Sequence, residues 1–317
     1  MADTRPPETA PLETAPPAGA PRDLGGDIRA ILAPNPSPMT YWGTNTYLLG
    51  ARRLAVIDPG PDDSGHLAAI LGALRPGQSV SHIFVSHAHL DHSPLARRLA
   101  AETGAPVLAY GVAAAGRSAV MHRLAESGGI GGGEGVDAGF APDQALADGE
   151  DVAGDGWRIT AHWTPGHFCN HMCFQSGDTV FSGDLVMGWA STLISPPDGD
   201  LTQFRASCAR LAALAPARLL PGHGAPVADP AARIRWLIAH RRAREAAMLD
   251  SLAHGPADAA TLAQHIYTDT PQDLMPAAAR NVLAHLVDLM QNARVRTLSP
   301  LSHTTRFALC DDVGTDA

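Results

Sequence analysis

Lysine is missing altogether: the 23 basic residues of this 317-residue chain are all arginine. That absence excludes a lysine Schiff base and the lysine of a phosphate-binding loop. Cysteine is scarce. Cys169, Cys173, Cys208 and Cys310 lack zinc-ribbon or redox spacing and read as reduced, mostly buried thiols. Positive charge is in deficit, and a net charge of -9 argues against a surface that coats nucleic acid. Long apolar runs are missing as well, with no bilayer-length segment and no secretory leader, so no membrane association and a cytoplasmic location are expected. Large apolar side chains are nearly absent from residues 1–27, which cannot offset the entropy of ordering and are expected to form a disordered tail. Asp3, Glu8, Glu13, Asp23 and Asp27 against Arg5 and Arg22 make that tail unlike a mitochondrial transit peptide.

What is present in excess is histidine, at one place. Ser86-His87-Ala88-His89-Leu90-Asp91-His92-Ser93 groups three imidazoles and a carboxylate directly after Val80, Ile83, Phe84 and Val85, a run that reads as a buried strand. Side chains at i and i+2 share one face of extended backbone, so His87 and His89 can reach one metal ion while the turning chain sends Asp91 and His92 to a second.

The flanking chain alternates strands and helices as an α/β protein does. Thr40–Leu49 and Leu54–Ile57 read as paired strands, His66–Leu74 and Pro94–Thr103 as helices, Ser81–Ser86 and Pro106–Ala109 as strands. Asp58, before Pro59 and Gly60, is either a turn former or a group that orients a ligand imidazole. The Gly-rich stretch around 127–135 reads as a flexible loop, either a mobile cover over the site or a surface insertion. After the strand Trp157–His162, the turn Thr164-Pro165-Gly166 presents His167 rigidly. We assign His167 as a ligand, His171 as a substrate-side or orienting group, and His162 as an ordinary strand residue. Two further strands end in Gly183-Asp184 and in Gly222-His223-Gly224, where glycines let backbone approach closely.

The C-terminal third is helical. Asp229–His254 forms a long helix with Arg233, Arg235, His240, Arg241, Arg242 and Arg244 along its middle. These make either a solvated basic face, a phosphate-binding one, or stems packed on the main domain. Ala259–Ile266 and Leu274–Gln291 are further helices, and Arg294–Leu298 with Thr305–Leu309 reads as a wing, completing a small winged helix.

The HxHxDH cluster, the Thr-Pro-Gly-His turn, Ser182-Gly183-Asp184 and Pro221-Gly222-His223-Gly224 together resemble the metallo-β-lactamase superfamily from about Thr40 to Val227. With the C-terminal winged helix, the chain is similar to the β-lactamase-like protein 2 group. The resemblance implies an αββα sandwich over 28–228 followed by a winged-helix domain over 229–317. It implies that His87, His89 and His167 bind a first metal, Asp91, His92 and His223 a second, and that Asp184 bridges them. Two zinc ions are expected, with iron or manganese also compatible with these donors. Such a pair activates a shared hydroxide, to which Asp91 would hydrogen-bond and whose proton it would shuttle.

The group's animal members cleave single-stranded RNA, whereas bacterial members resemble glyoxalase II. The expected activity is therefore metal-dependent hydrolysis, of single-stranded RNA first, with a small thioester, ester or lactone as the alternative substrate. A nucleic-acid-binding protein without catalysis is a distant third expectation, and a homodimer through the C-terminal domain a further one.

Overall fold

The computed structural model describes residues 14–310. Its first sheet has seven strands in chain order: β1 (Arg22–Asp23), β2 (Ile28–Leu32), β3 (Asn45–Leu49), β4 (Arg53–Ile57), β5 (Ser79–Phe84), β6 (Val107–Ala109) and β7 (Gln144–Ala145). The second has five, again in chain order: β8 (Asp151–Ala153), β9 (Arg158–Trp163), β10 (Met172–Ser176), β11 (Thr179–Gly183) and β12 (Arg218–Pro221).

Alternation along the strands explains why the two sheets pack face to face. Leu54 and Val56 of β4 and Ile83 of β5 point outward into a core shared with α1 (Ser64–Gly72) and α2 (Leu95–Thr103). Their neighbours Ala55, Ile57 and Phe84 point inward and meet Ile159, Ala161, Met172, Phe174, Phe181 and Leu220 from the second sheet. Cys173, Val180 and Leu219 turn the other way, onto Phe204, Cys208 and Leu211 of α4 (Leu201–Ala213). Both sheets are covered on both faces, which is why their strands read as nearly continuous apolar runs. This is the αββα sandwich that the sequence resemblance implied. The helix α4 was missed in the sequence; it starts where Asp200 accepts hydrogen bonds from the Thr202 and Gln203 amides.

Two expectations for the first 50 residues need correcting. Residues 1–13 of the expected tail lie outside the described residues, but 14–27 are structured. The Gly19 amide donates to the Leu32 carbonyl at 2.9 Å, and β1 pairs antiparallel with β2. Backbone pairing with an open sheet edge supplies what the side chains of this segment cannot. The strand expected over Thr40–Leu49 begins only at Asn45, because Thr40–Gly43 forms a turn closed by the Gly43 amide on the Thr40 carbonyl.

The C-terminal part contains α5 (Pro230–Ala253), α6 (Ala259–Ile266), α7 (Met275–Gln291) and the antiparallel pair β13 (Val295–Thr297) and β14 (Phe307–Leu309). A short helix, α3 (Ala119–Ser127), packs Met121 and Leu124 against this part. The boundary expected at 228 does not separate two cores. Ile234 and Leu237 in the first half of α5 pack with α4 on the sandwich, while Met248 and Leu252 in its second half pack with α6 and α7. Among the described residues no helix is long and apolar enough to cross a membrane.

Candidate metal centre

Four strand ends meet at one edge of the sandwich. β5 runs into the loop carrying His87, His89, Asp91 and His92; the β9–β10 turn carries His167; β11 ends at Asp184; β12 ends at His223. The close approach dictates glycine at two of these ends. A Cβ on Gly222 would lie 2.4 Å from Asp184 Oδ1, and one on Gly183 would lie 2.5 Å from His171 Nε2, with φ already at +46°.

All seven residues expected as ligands come together. His87, His89 and His167 form one group of three, and Asp91, His92 and His223 another; within each, the donor atoms lie within 4.8 Å of one another. Asp184 reaches both, with Oδ2 3.7 Å from His167 Nε2 and 3.3 Å from His223 Nε2, and Oδ1 3.6 Å from His92 Nε2.

The hydrogen bonds behind these rings fix where their lone pairs point. His92 Nδ1 donates to Asp58 Oδ2 at 3.0 Å, His223 Nδ1 to the Gly43 carbonyl at 3.1 Å and His167 Nδ1 to the Leu193 carbonyl at 2.7 Å. Ser86 Oγ donates to Asp58 Oδ2 and so accepts from His87 Nδ1 at 2.9 Å. In the neutral rings each Nε2 is thereby left with a lone pair facing the cluster. His87 Nε2 and His167 Nε2 both face His89 Nδ1, at 2.8 and 3.1 Å, so one Nδ1 proton cannot serve both, and Asp184 Oδ1 is buried with no hydrogen-bond partner among the described residues. Cations between these atoms satisfy every one of them. The residues therefore fit divalent metal ions bound by nitrogen and carboxylate oxygen.

Electrostatics agree. Burial, followed by neighbouring imidazoles, holds His87 well below the ordinary value and brings His89 down to about 3, so neither ring takes a proton readily. On the other side, against a desolvation that opposes charge, Asp91 and Asp184 raise His92 well above its usual range, and Asp184 with Asp91 raises His223 to about 9. The corner holding the carboxylates attracts positive charge.

Of the supporting residues, Asp58 stands behind the cluster, where it accepts from the Ser86 amide at 2.7 Å as well as from Ser86 Oγ and His92. His171 is turned away from the open side. Its Nε2 accepts from the Asp184 amide at 3.2 Å, so its Nδ1 donates to Thr164 Oγ1 at 3.0 Å. His162 lies outside the cluster against Gln175. Sequence reasoning missed Ser86 as the link from Asp58 to His87, although its place next to the histidine run was the available signal. It also missed the Leu193 and Gly43 carbonyls, which carry no signal in side-chain identity.

Residues 39–223 match the metallo-beta-lactamase superfamily, and residues 259–299 match the beta-lactamase associated winged helix domain. The chain belongs to the metallo-beta-lactamase superfamily. Members of this superfamily are generally metal-dependent hydrolases, and the chain is an enzyme of that kind. It is 29% identical over 291 residues to the Beta-lactamase-like protein 2 homolog of Drosophila melanogaster, covering 86% of this chain and 91% of that protein. It is 28% identical over 275 residues to the Atrochrysone carboxyl ACP thioesterase of Aspergillus fumigatus, covering 79% and 76%. The fold matches a beta-lactamase domain protein from Burkholderia ambifaria with a TM-score of 0.77 at 22% identity, covering 94% of this chain and 96% of the other.

The arginines of α5 are placed differently from a phosphate-binding face. Arg233 is buried and donates to the Met187 and Ala190 carbonyls; Arg241 is buried and donates to the Thr192 carbonyl and Asn281. Arg244 donates to the Ile266 carbonyl and lies over the Tyr267 ring. Arg235 and Arg242 are exposed, and together with Ala212 and Ile238 they border a groove between α4 and α5.

Proposed function

We propose that this protein is a two-metal hydrolase of small acyl substrates, a thioester, ester or lactone. The observation that carries the two-metal part is the pair of three-donor groups sharing Asp184, with their lone pairs turned inward. His87, His89 and His167 would hold one ion, Asp91, His92 and His223 the other, and Asp184 both. Bound there, two divalent cations, zinc best by donor type and iron or manganese also by chemistry, acidify water and polarise the carbonyl oxygen of the substrate.

The chain's own residues supply positioning and proton handling. Asp58 and the Leu193 and Gly43 carbonyls hold four imidazoles in the tautomers that leave Nε2 free. Asp91, with a side chain 25% exposed, is the most open carboxylate of the cluster. Its Oδ2 faces His223 at 3.1 Å, and Oδ1 has no hydrogen-bond partner among the described residues. That oxygen is where a proton from attacking water is held before it passes to the leaving group. In a thioester the water oxygen joins the carbonyl carbon, the C–S bond breaks, and the sulfur leaves with the proton.

The acyl reading is preferred to single-stranded RNA because Arg233, Arg241 and Arg244 donate to backbone carbonyls within the fold, which leaves only Arg235 and Arg242 of the α5 arginines exposed. Zinc-loaded protein is assayed on S-lactoylglutathione and on labelled single-stranded RNA, with Asp91→Ala as the control. Thioester turnover lowered at least about 100-fold in the variant, with RNA cleaved no faster than by the variant, is expected. Asp91-dependent RNA cleavage without thioester turnover would overturn the substrate assignment, and full activity at one metal per chain would overturn the two-ion site.

A further inference from the structure

Next to His223 three aromatic rings lie in one stack. Tyr41 is in the middle, its ring centroid 4.5 Å from that of Trp42 at 23° and 4.7 Å from that of Trp189 at 9°. The connection to the metal centre is direct. Thr44 forms a β-bridge with His223, His223 Nδ1 donates to the Gly43 carbonyl, and a Cβ on Gly224 would lie 2.8 Å from Trp189 Cδ1.

The loop that carries Tyr41 and Trp42 is fixed by its own polar groups. Thr40 Oγ1 donates to the Asn35 carbonyl at 2.5 Å, the Thr40 amide to Ser37 Oγ, and the Thr44 amide to Asn35 Oδ1. Tyr41 itself sits at φ +56°, a left-handed conformation costly for a bulky aromatic residue. A residue kept under such strain points to a role in binding. It is nonetheless 39% exposed, and Met39 beside it is 46% exposed. Leu90, between His89 and Asp91, is 52% exposed. The surroundings of the cluster are thus apolar and aromatic, and Arg233 and Arg241, which reach the 187–192 loop bearing Trp189, donate to its backbone carbonyls. One further atom is unexplained: the Trp189 indole N–H is shielded from solvent and has no acceptor among the described residues.

We propose that the Trp42–Tyr41–Trp189 stack is the acyl-side subsite and that it takes a planar aromatic ring attached to the carbonyl under attack. The proposal rests on the acyl-hydrolase reading given above. A flat ring extends the stack with offset geometry, which a saturated or short acyl chain cannot do. The stack is joined to the ligand cluster through His223, whose Nδ1 donates to the Gly43 carbonyl and whose Nε2 faces Asp91 and Asp184.

The test compares 2-naphthoyl and acetyl thioesters of N-acetylcysteamine on zinc-loaded full-length protein. Wild type should favour the naphthoyl substrate in kcat/KM by at least about 10-fold, mainly through KM. Tyr41→Asn, chosen because asparagine tolerates positive φ, and Trp42→Leu as a second variant should each lower that ratio about 10-fold. Equal rates on both substrates in wild type, or an unchanged ratio in both variants, overturns the subsite and leaves the hydrolase reading intact. If neither thioester is turned over, the hydrolase reading fails by itself. Quenching of tryptophan fluorescence by 2-naphthoate then decides: quenching weakened about 10-fold in Tyr41→Asn upholds the subsite, and no quenching overturns it. A dimer in sedimentation that Tyr41→Asn converts to monomer also overturns it, because the rings then belong to a contact between two copies.

Discussion

Asp58 decides the tautomers of two imidazoles at once, directly through His92 and through Ser86 for His87. An amide in its place cannot accept from both Ser86 Oγ and His92 Nδ1 at one atom without turning its NH2 toward the Ser86 amide. Asp58→Asn should therefore fold normally and bind zinc about 10- to 100-fold more weakly, read by competition with a chromophoric chelator. An unchanged affinity would remove Asp58 from the site. The expected ligands were readable from the sequence because each is a histidine or aspartate at a strand end, three of the seven beside a glycine. Their supports were not. Leu193 and Gly43 act through backbone carbonyls, and the direction of His171 is set by the pairing of β10 with β9 on one side and β11 on the other, which puts Thr164 and Asp184 on its two nitrogens.

On α5 the apolar spacing announced a helix, but not which arginines it would bury. Arginine can be buried where backbone carbonyls accept its donors, and those carbonyls belong to the 187–192 loop. Arg241→Ala strands the Thr192 carbonyl and empties space against Phe204, and should lower the unfolding free energy by about 2–4 kcal/mol. Arg242→Ala, at an exposed position, should stay within about 0.5 kcal/mol. Urea titration of both variants checks this; equal effects would contradict the burial.

A second element-scale prediction concerns α7. Burial first, then Arg241, Arg205, His240 and Arg244, hold His285 well below the ordinary imidazole range, and neither of its nitrogens has a partner among the described residues. The folded state keeps it neutral while the unfolded chain protonates it below about 6.5. Its contribution is thus complete above that pH and is lost as pH falls, by up to about 1.4 kcal/mol per pH unit. His285→Leu should flatten the acid limb of stability against pH in metal-free protein by one proton. An unchanged slope would show that His285 does not carry this linkage.

For the whole molecule, the two-layer sandwich was legible because alternation along β4, β5, β10 and β11 sends apolar side chains to both faces. The Gly-rich segment was not, since residues without side chains give no pattern, and its contacts are made by backbone. Read as a flexible loop, it is in fact tied on three sides. The Gly135 carbonyl accepts from the Leu90 amide at 2.8 Å, Val136 forms a β-bridge with His89, and the Gly133 amide donates to Asp198 Oδ2 at 2.8 Å. From the C-terminal part, the His303 amide donates to the Gly129 carbonyl, and Arg280 of α7 donates to the Ile130 and Pro196 carbonyls and to Ser195 Oγ. The winged-helix part thus holds the segment that backs the metal-binding loop. Arg280→Ala should raise amide hydrogen exchange at 129–136 and 195–199 while leaving β3 and β4 protected. Because His89 and Asp91 flank the residue this segment supports, kcat/KM should fall about 10- to 100-fold with metal content retained. Unaltered exchange in the Gly-rich segment would mean that α7 merely touches it, and loss of metal together with activity would place Arg280 in the upkeep of the ligand cluster itself.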